Sequence, residues 1–212
     1  MQALFVHGMG RSPLSGWRLL AQLKAQGIAP HAFGYAATFQ NFDAIHRRLS
    51  ARIHALSARG DYVLIGHSLG GLLLRTAVAA LPPGTRPPRH VFLLGSPIKP
   101  ARLAQKLQRN WIFRLLAGDC GQLLASPARM AQIGPGRFPA TSILGVTGWK
   151  GRLNPFQGEE NDGIVSVSEA RADWIAEEIR IPAIHTYLPS NSRVSAIILE
   201  RIARQHDAAR GE

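Results

Sequence analysis

Short, unbroken apolar runs alternate along the chain with stretches in which apolar residues recur every three or four positions. Ala3-Leu4-Phe5-Val6, Tyr62-Val63-Leu64-Ile65, His90-Val91-Phe92-Leu93-Leu94 and Ser142-Ile143-Leu144-Gly145-Val146 are too short for helices and rich in β-branched and aromatic residues, so each reads as a buried strand. Ile28 to Tyr35 fits a more weakly patterned strand, and Ile179 to Ile184 an edge strand because of its proline, Pro182. Between them, Trp17 to Lys24 has helical spacing and is stopped by Gly27. Phe42, Ile45, Leu49, Ile53 and Leu56 form one face of an amphipathic helix whose other face carries Arg47, Arg48 and Arg52. Helices are also expected over Leu72 to Ala80 and Val194 to Ile202, with a polar tail from Gln205. Such alternation predicts an α/β fold, a mostly parallel sheet with helices on both faces, whose sites form at the carboxyl ends of the strands.

The alternation lapses between Pro100 and Ser142. Here Leu103, Leu107, Trp111 and Leu115 make an apolar stripe with Arg102, Lys106 and Arg109 beside it, the pattern of a basic amphipathic helix. Residues 101–140 are therefore expected to be a cap or lid over the site. Two readings of the helix stand: it lays its apolar side on the core, or it turns that side to lipid or a hydrophobic substrate while its arginines meet phosphate headgroups.

The 212 residues suffice for one core, and no Ser/Pro/Gly-rich linker divides them, so one domain, 1–212, is expected. The first residues already read as a core strand and leave no room for a signal peptide. No apolar run approaches the roughly 18 residues of a membrane span. The lone Cys120 forms no internal disulfide. A cytoplasmic protein is the resulting expectation. A net charge of +12 invites polyanion binding. Its arginines are scattered, however, without basic blocks interleaved with stacking aromatics, and nucleic acid is not the expected partner.

Candidate chemistry centres on Gly66-His67-Ser68-Leu69-Gly70-Gly71, a Gly-x-Ser-x-Gly sequence set between a strand and a helix. That context makes a nucleophile elbow, in which the serine sits on a tight turn and points at substrate. A serine hydroxyl needs a base in hydrogen-bond reach and a third group to orient that base. Of the eight histidines, His185 alone follows a late strand and precedes the final helix. His67 is the elbow's neighbour, its ring expected to point away from substrate, and His7 is expected to shape its own loop. For the acid, Asp162 in Asn161-Asp162-Gly163 is best placed, although the same sequence is a common turn in which the carboxylate bonds its own backbone. Asp119 precedes the last two strands, Asp173 reads as helical and exposed, and Glu159 and Glu160 are rivals. These carboxylates lack a defined ligand pattern, and no metal is expected. The amides of Met9, in His7-Gly8-Met9-Gly10, and Leu69, after the nucleophile, are the candidate oxyanion donors.

These segments resemble the α/β-hydrolase superfamily, and within it the small lipases and esterases of the lipase class 2 and GPI-inositol-deacylase-like type. His7-Gly8-Met9-Gly10 is similar to their oxyanion loop, Gly66 to Gly71 to their elbow, Asn161 to Val165 to their acid loop, and His185-Thr186-Tyr187-Leu188 to their histidine segment. The likeness implies an α/β-hydrolase fold with Ser68 as nucleophile, His185 as base, Asp162 as its orienter, and Met9 and Leu69 holding the oxyanion. The chain starts directly at the oxyanion-loop strand, without the leading strands of larger relatives or the secretion signal common among extracellular lipases. The expected activity is cleavage of a small-molecule or lipid carboxylic ester without a cofactor. An acyltransferase or thioesterase would use the same triad. A non-catalytic module holding an acidic membrane surface through the cap helix is the rival from another class. Oligomeric state is not legible.

Overall fold

The computed structural model describes residues 1–151 and 154–208. Six strands form one wholly parallel sheet in the order β2-β1-β3-β4-β5-β6: β1 Gln2–Val6, β2 Ala29–Phe33, β3 Tyr62–His67, β4 His90–Leu94, β5 Ala140–Gly145 and β6 Glu177–Ile181. The central strands β1, β3 and β4 carry unbroken apolar runs, Ala3 to Val6, Tyr62 to Ile65 and Val91 to Leu94, because both faces are covered. One face packs against α1 (Trp17–Ala25) and α8 (Ser192–Ala208), burying Phe5, Ile65, Phe92 and Ile198. The other packs against α2 (Phe42–Ser57), α3 (Leu69–Ala79) and later helices, burying Leu4, Leu64, Leu49 and Leu73.

Three expected boundaries move. The sixth strand starts two residues before Ile179, because an edge strand tolerates charged residues when they are paired: Glu177 meets Arg201, and Glu178 meets Arg171 and Arg180. It ends at Ile181, before the proline. The final helix runs on to Ala208, past the expected start of the tail, and residues 209–212 of that tail lie outside the described residues. Asp173, read as helical, stands exposed in a turn beyond the short helix α7 (Val167–Ala170).

The 101–140 insertion departs most. In place of one amphipathic helix there are three pieces, α4 (Arg102–Leu107), α5 (Trp111–Ala125) and α6 (Pro127–Ala131). The Asn110 side chain accepts from the Ile112 and Phe113 amides, an N-cap that starts a new helix within the apolar stripe. Gly118, at φ 54°, then breaks α5. Beyond it Cys120, Leu123 and Leu124 are buried; before it Trp111, Ile112, Leu115 and Leu116 are exposed. The expected core contact therefore holds for the second half of α5, and the first half turns outward. Arg102 is engaged by Glu159 and Ser168.

Candidate active site

The loops after β1, β4, β5 and β6 come together beside the β3–α3 junction. Ser68 sits there at φ 52°, ψ −123°, one of two non-glycine residues with positive φ among those described, and its amide donates to Leu94 O at 2.9 Å. Such a conformation costs about 1–3 kcal/mol and persists only where the surroundings impose it. The glycines explain how they do: a Cβ on Gly66 would lie 2.5 Å from Gly71 Cα, and one on Gly70 would overlap the carbonyl oxygens of Val6 and His7. α3 can thus start directly against β1, with the serine at its amino end.

Asp162 and His185, from loops after β5 and β6, meet beside this junction. His185 Nδ1 lies 2.6 Å from Asp162 Oδ2, and the His185 amide donates to Asp162 O at 2.8 Å. Both side chains are buried. The other carboxylate oxygen, Oδ1, accepts from the Ile164 and Val165 amides at 3.0 and 2.8 Å. The turn bonds and the histidine contact expected as alternatives are therefore both made, one by each oxygen. With Nδ1 donating to the carboxylate, Nε2 is the basic nitrogen, and it has no protein partner among the described residues. Ser68 and the pair border the same Leu94–Gly95 junction. Gly95 has φ 53°, and a Cβ there would come within 2.7 Å of Asp162 Oδ2 and 3.1 Å of His185 Nδ1. The Ser68 hydroxyl is not itself hydrogen-bonded to His185.

The rival acids go elsewhere. Glu159 pairs with Arg102, Glu160 with Arg180, and Asp119 with Arg129 and the Phe42 amide. No group of three metal-ligating side chains occurs among the described residues. Met9 lies in the turn after β1 and Leu69 is the first residue of α3. A Cβ on Gly8 would come within 3.0 Å of Ser68 Cβ, so the Met9 loop runs against the serine. His7 shapes that loop as expected: Nδ1 donates to Gly8 O at 2.8 Å, Nε2 accepts from the Tyr35 amide at 3.4 Å, and the ring stacks on Tyr35. The bond accepted at Nε2 needs the neutral imidazole, and burial lowers the His7 pKa, outweighing the Gly8 bond that raises it.

Two residues contribute more than their sequence context suggests. His67 is fully enclosed; its Nε2 donates to His185 O at 3.0 Å, and the two rings lie 4.7 Å apart. Burial, aided by the nearby His185, drives its pKa well down, so it serves as a neutral strut under the histidine loop. Asn161 accepts from the Trp149 and Gly163 amides and donates to Trp149 O and Glu159 O, fixing the acid loop. Its Asn-Asp-Gly setting signalled a turn; nothing in the sequence signalled the reach of His67 to residue 185. Beside the pair a shallow cavity of about 470 Å³ is lined by Trp149, Ile164, Ile184 and Thr186. An equal volume near Arg75 and Phe138, at the far end of α3, belongs to a different part of the molecule.

A parallel α/β sheet with a serine elbow after its third strand and a buried Asp–His pair from two later loops defines an α/β-hydrolase. The chain belongs to the alpha/beta hydrolase family, whose model matches residues 3–199. No curated protein sequence matches it. Among solved structures it is similar to the mature Bacillus licheniformis lipase BlEst2 (TM-score 0.74, 18% identity, 95% of this chain and 91% of that one). It is also similar to the RedJ thioesterase of Streptomyces coelicolor prodiginine biosynthesis (0.64, 14%, 96% and 85%) and to the Arabidopsis methylesterase MES16 (0.63, 14%, 96% and 99%). At these identities the likeness is one of fold.

Proposed function

We propose that this protein is a serine hydrolase of carboxylic esters that works through an acyl-enzyme on Ser68. His185 Nε2 takes the hydroxyl proton as Ser68 Oγ attacks the ester carbonyl, while Asp162 holds the ring and stabilises the imidazolium. The oxyanion is met by the amides of Met9 and Leu69, each such donor contributing about 3 kcal/mol to the transition state. The imidazolium returns its proton to the leaving alcohol. Water then attacks the acyl-enzyme by the same route, with no metal or organic cofactor in the cycle.

The observation that carries the reading is the buried 2.6 Å Asp162–His185 contact beside a serine held at positive φ. It is supported by family membership and by neighbours described as a lipase and a methylesterase. The thioesterase neighbour favours a second reading, in which a thiol leaves or an acyl acceptor replaces water; the same atoms perform it. We take 1–212 as one domain with 101–140 as its cap, and the cytoplasm as its compartment. Cys120, its thiol pushed up to about 12 by burial, is inert there at neutral pH.

The test is a panel of p-nitrophenyl esters of increasing chain length with fluorophosphonate labelling and mass mapping. The label lands on Ser68, Ser68→Ala abolishes turnover, and Asp162→Asn, which leaves His185 without its carboxylate, lowers kcat by about 10³–10⁴-fold. Label on another residue, or full activity in Ser68→Ala, removes the proposal.

A further inference from the structure

The exposed apolar surface of this molecule is not scattered. Among the described residues, large and strongly exposed apolar side chains gather in the connections that leave the carboxyl ends of the strands: Leu14 and Trp17 at the start of the β1–β2 connection, Phe39 in the turn after β2, Trp149 just after β5 and Tyr187 just after β6, with Trp111 and Leu115 on the outward half of α5 in the longer β4–β5 connection. None lies on α2, α3, α6 or α8. That edge of the sheet is the one that carries Ser68. Scattered single apolar residues are ordinary on a protein surface, but their confinement to one side is not.

The largest cluster joins two segments. Trp111, Ile112, Leu115 and Leu116 share a stripe on the outward half of α5, and Thr38 Oγ1 donates to Leu116 O at 2.7 Å, which seats the turn carrying Phe39, 88% exposed, alongside. On the other side Arg11 reaches Thr186 O and so ties the Trp17 loop to the Tyr187 segment. The charges interspersed here are one-sided. Arg11, Arg18, Arg109, Arg114 and Lys150 form no ion pair among the described residues, whereas the acids of these loops are already engaged: Glu159 by Arg102, Glu160 by Arg180, Asp162 by His185, and Asp119 by Arg129.

We propose that this face docks on an anionic lipid bilayer. The outward half of α5 and the Phe39 turn enter the interfacial layer, and Arg109, Arg114 and Lys150 meet phosphate headgroups. Apolar side chains ringed by free cations suit that occupant. They suit a second copy poorly, since a face-to-face dimer would set the same unpaired cations against each other within a protein of net charge +12. The proposal rests on the hydrolase reading only for its consequence, that the ester is drawn from the bilayer; docking itself is measured without turnover.

The experiment uses full-length Ser68→Ala protein, so that vesicles are not consumed, with cosedimentation and tryptophan emission as readouts. Vesicles of phosphatidylcholine, with and without phosphatidylglycerol, are compared at low and high salt. The protein binds the anionic vesicles with a blue shift, and added salt weakens the binding. Arg109→Gln and Arg114→Gln each weaken it about fivefold, and Trp111→Ser or Leu115→Ser by on the order of tenfold or more. The same four substitutions in the Ser68 protein leave hydrolysis of p-nitrophenyl acetate unchanged. No binding to anionic vesicles, binding indifferent to these substitutions, or a dimer that Trp111→Ser disperses each overturns the proposal. Ester turnover without vesicle binding removes docking and leaves the hydrolase; binding without turnover or fluorophosphonate labelling does the reverse.

Discussion

Helices α3 and α5 both lie in connections that leave the central sheet, and each opens on a largely apolar sequence, yet their first turns meet opposite surroundings. In α3 every residue from Leu69 to Leu74 is buried; in α5 Trp111, Ile112, Leu115 and Leu116 face outward. Apolar character does not separate them. What does is the seat below. Gly66, Gly70 and Gly71 remove the side chains that would hold α3 off the sheet, so its backbone settles against β1 and β3 and its flanks are covered from all sides. α5 starts from an Asn110 cap far along a connection and buries most of its apolar side chains only around and beyond its break at Gly118, where Ala37 O lies within 2.6 Å of the position a Cβ would take. One helix is built to hold a serine still, and the other is left with an uncovered apolar face.

The comparison can be broken most severely at Gly70. In Gly70→Ala the new methyl overlaps the backbone carbonyls of Val6 and His7, so α3 must lift; the expected result is a destabilisation of about 3 kcal/mol or more in denaturant melts and loss of ester turnover well beyond it. A matched pair sharpens it further: Leu73→Ala in the buried helix costs about 2–5 kcal/mol, whereas Leu115→Ala changes stability by no more than about 0.5 kcal/mol. Equal costs in urea titrations would show that the outward half of α5 is covered in solution. Gly118→Ala is intermediate, about 1–2 kcal/mol, because a non-glycine residue is strained at φ 54° and its methyl meets Ala37 O.

Acid gives a test that needs no substitution. Burial lowers His67, on the elbow, well below its ordinary value, and His90, on the neighbouring strand, to about 4. An unfolded histidine titrates near 6.5, so between about 6.5 and 4 the unfolded chain binds more protons than the folded one. Stability is therefore complete above about pH 6.5 and declines as pH falls through that window, His90 accounting for about 1–3 kcal/mol. A melting temperature flat from pH 7 to 4.5, or a decline equally steep in His90→Gln, would contradict this.

The sequence by itself determined the sheet and the strand–turn–helix at Ser68, and it pointed to Asp162 and His185 as candidates. Strand runs and helical spacing are properties of contiguous residues. Gly66 to Gly71 carries its own turn, and an acid loop and a histidine placed after successive late strands are brought to one edge by any parallel sheet. Tertiary structure alone decided the rest. That His67 braces residue 185, that Gly95 makes space for the Asp162–His185 contact, and that Asp162 serves its turn with one oxygen and His185 with the other are contacts between segments far apart in the chain, invisible to local periodicity. The stripe from Leu103 to Leu115 marks the limit most clearly. Its spacing promises one amphipathic helix, but a cap at Asn110 divides it, and only the position of the body decides which apolar residues are core and which remain exposed. Burial is a property of neighbours in space, whereas a sequence pattern records only neighbours along the chain.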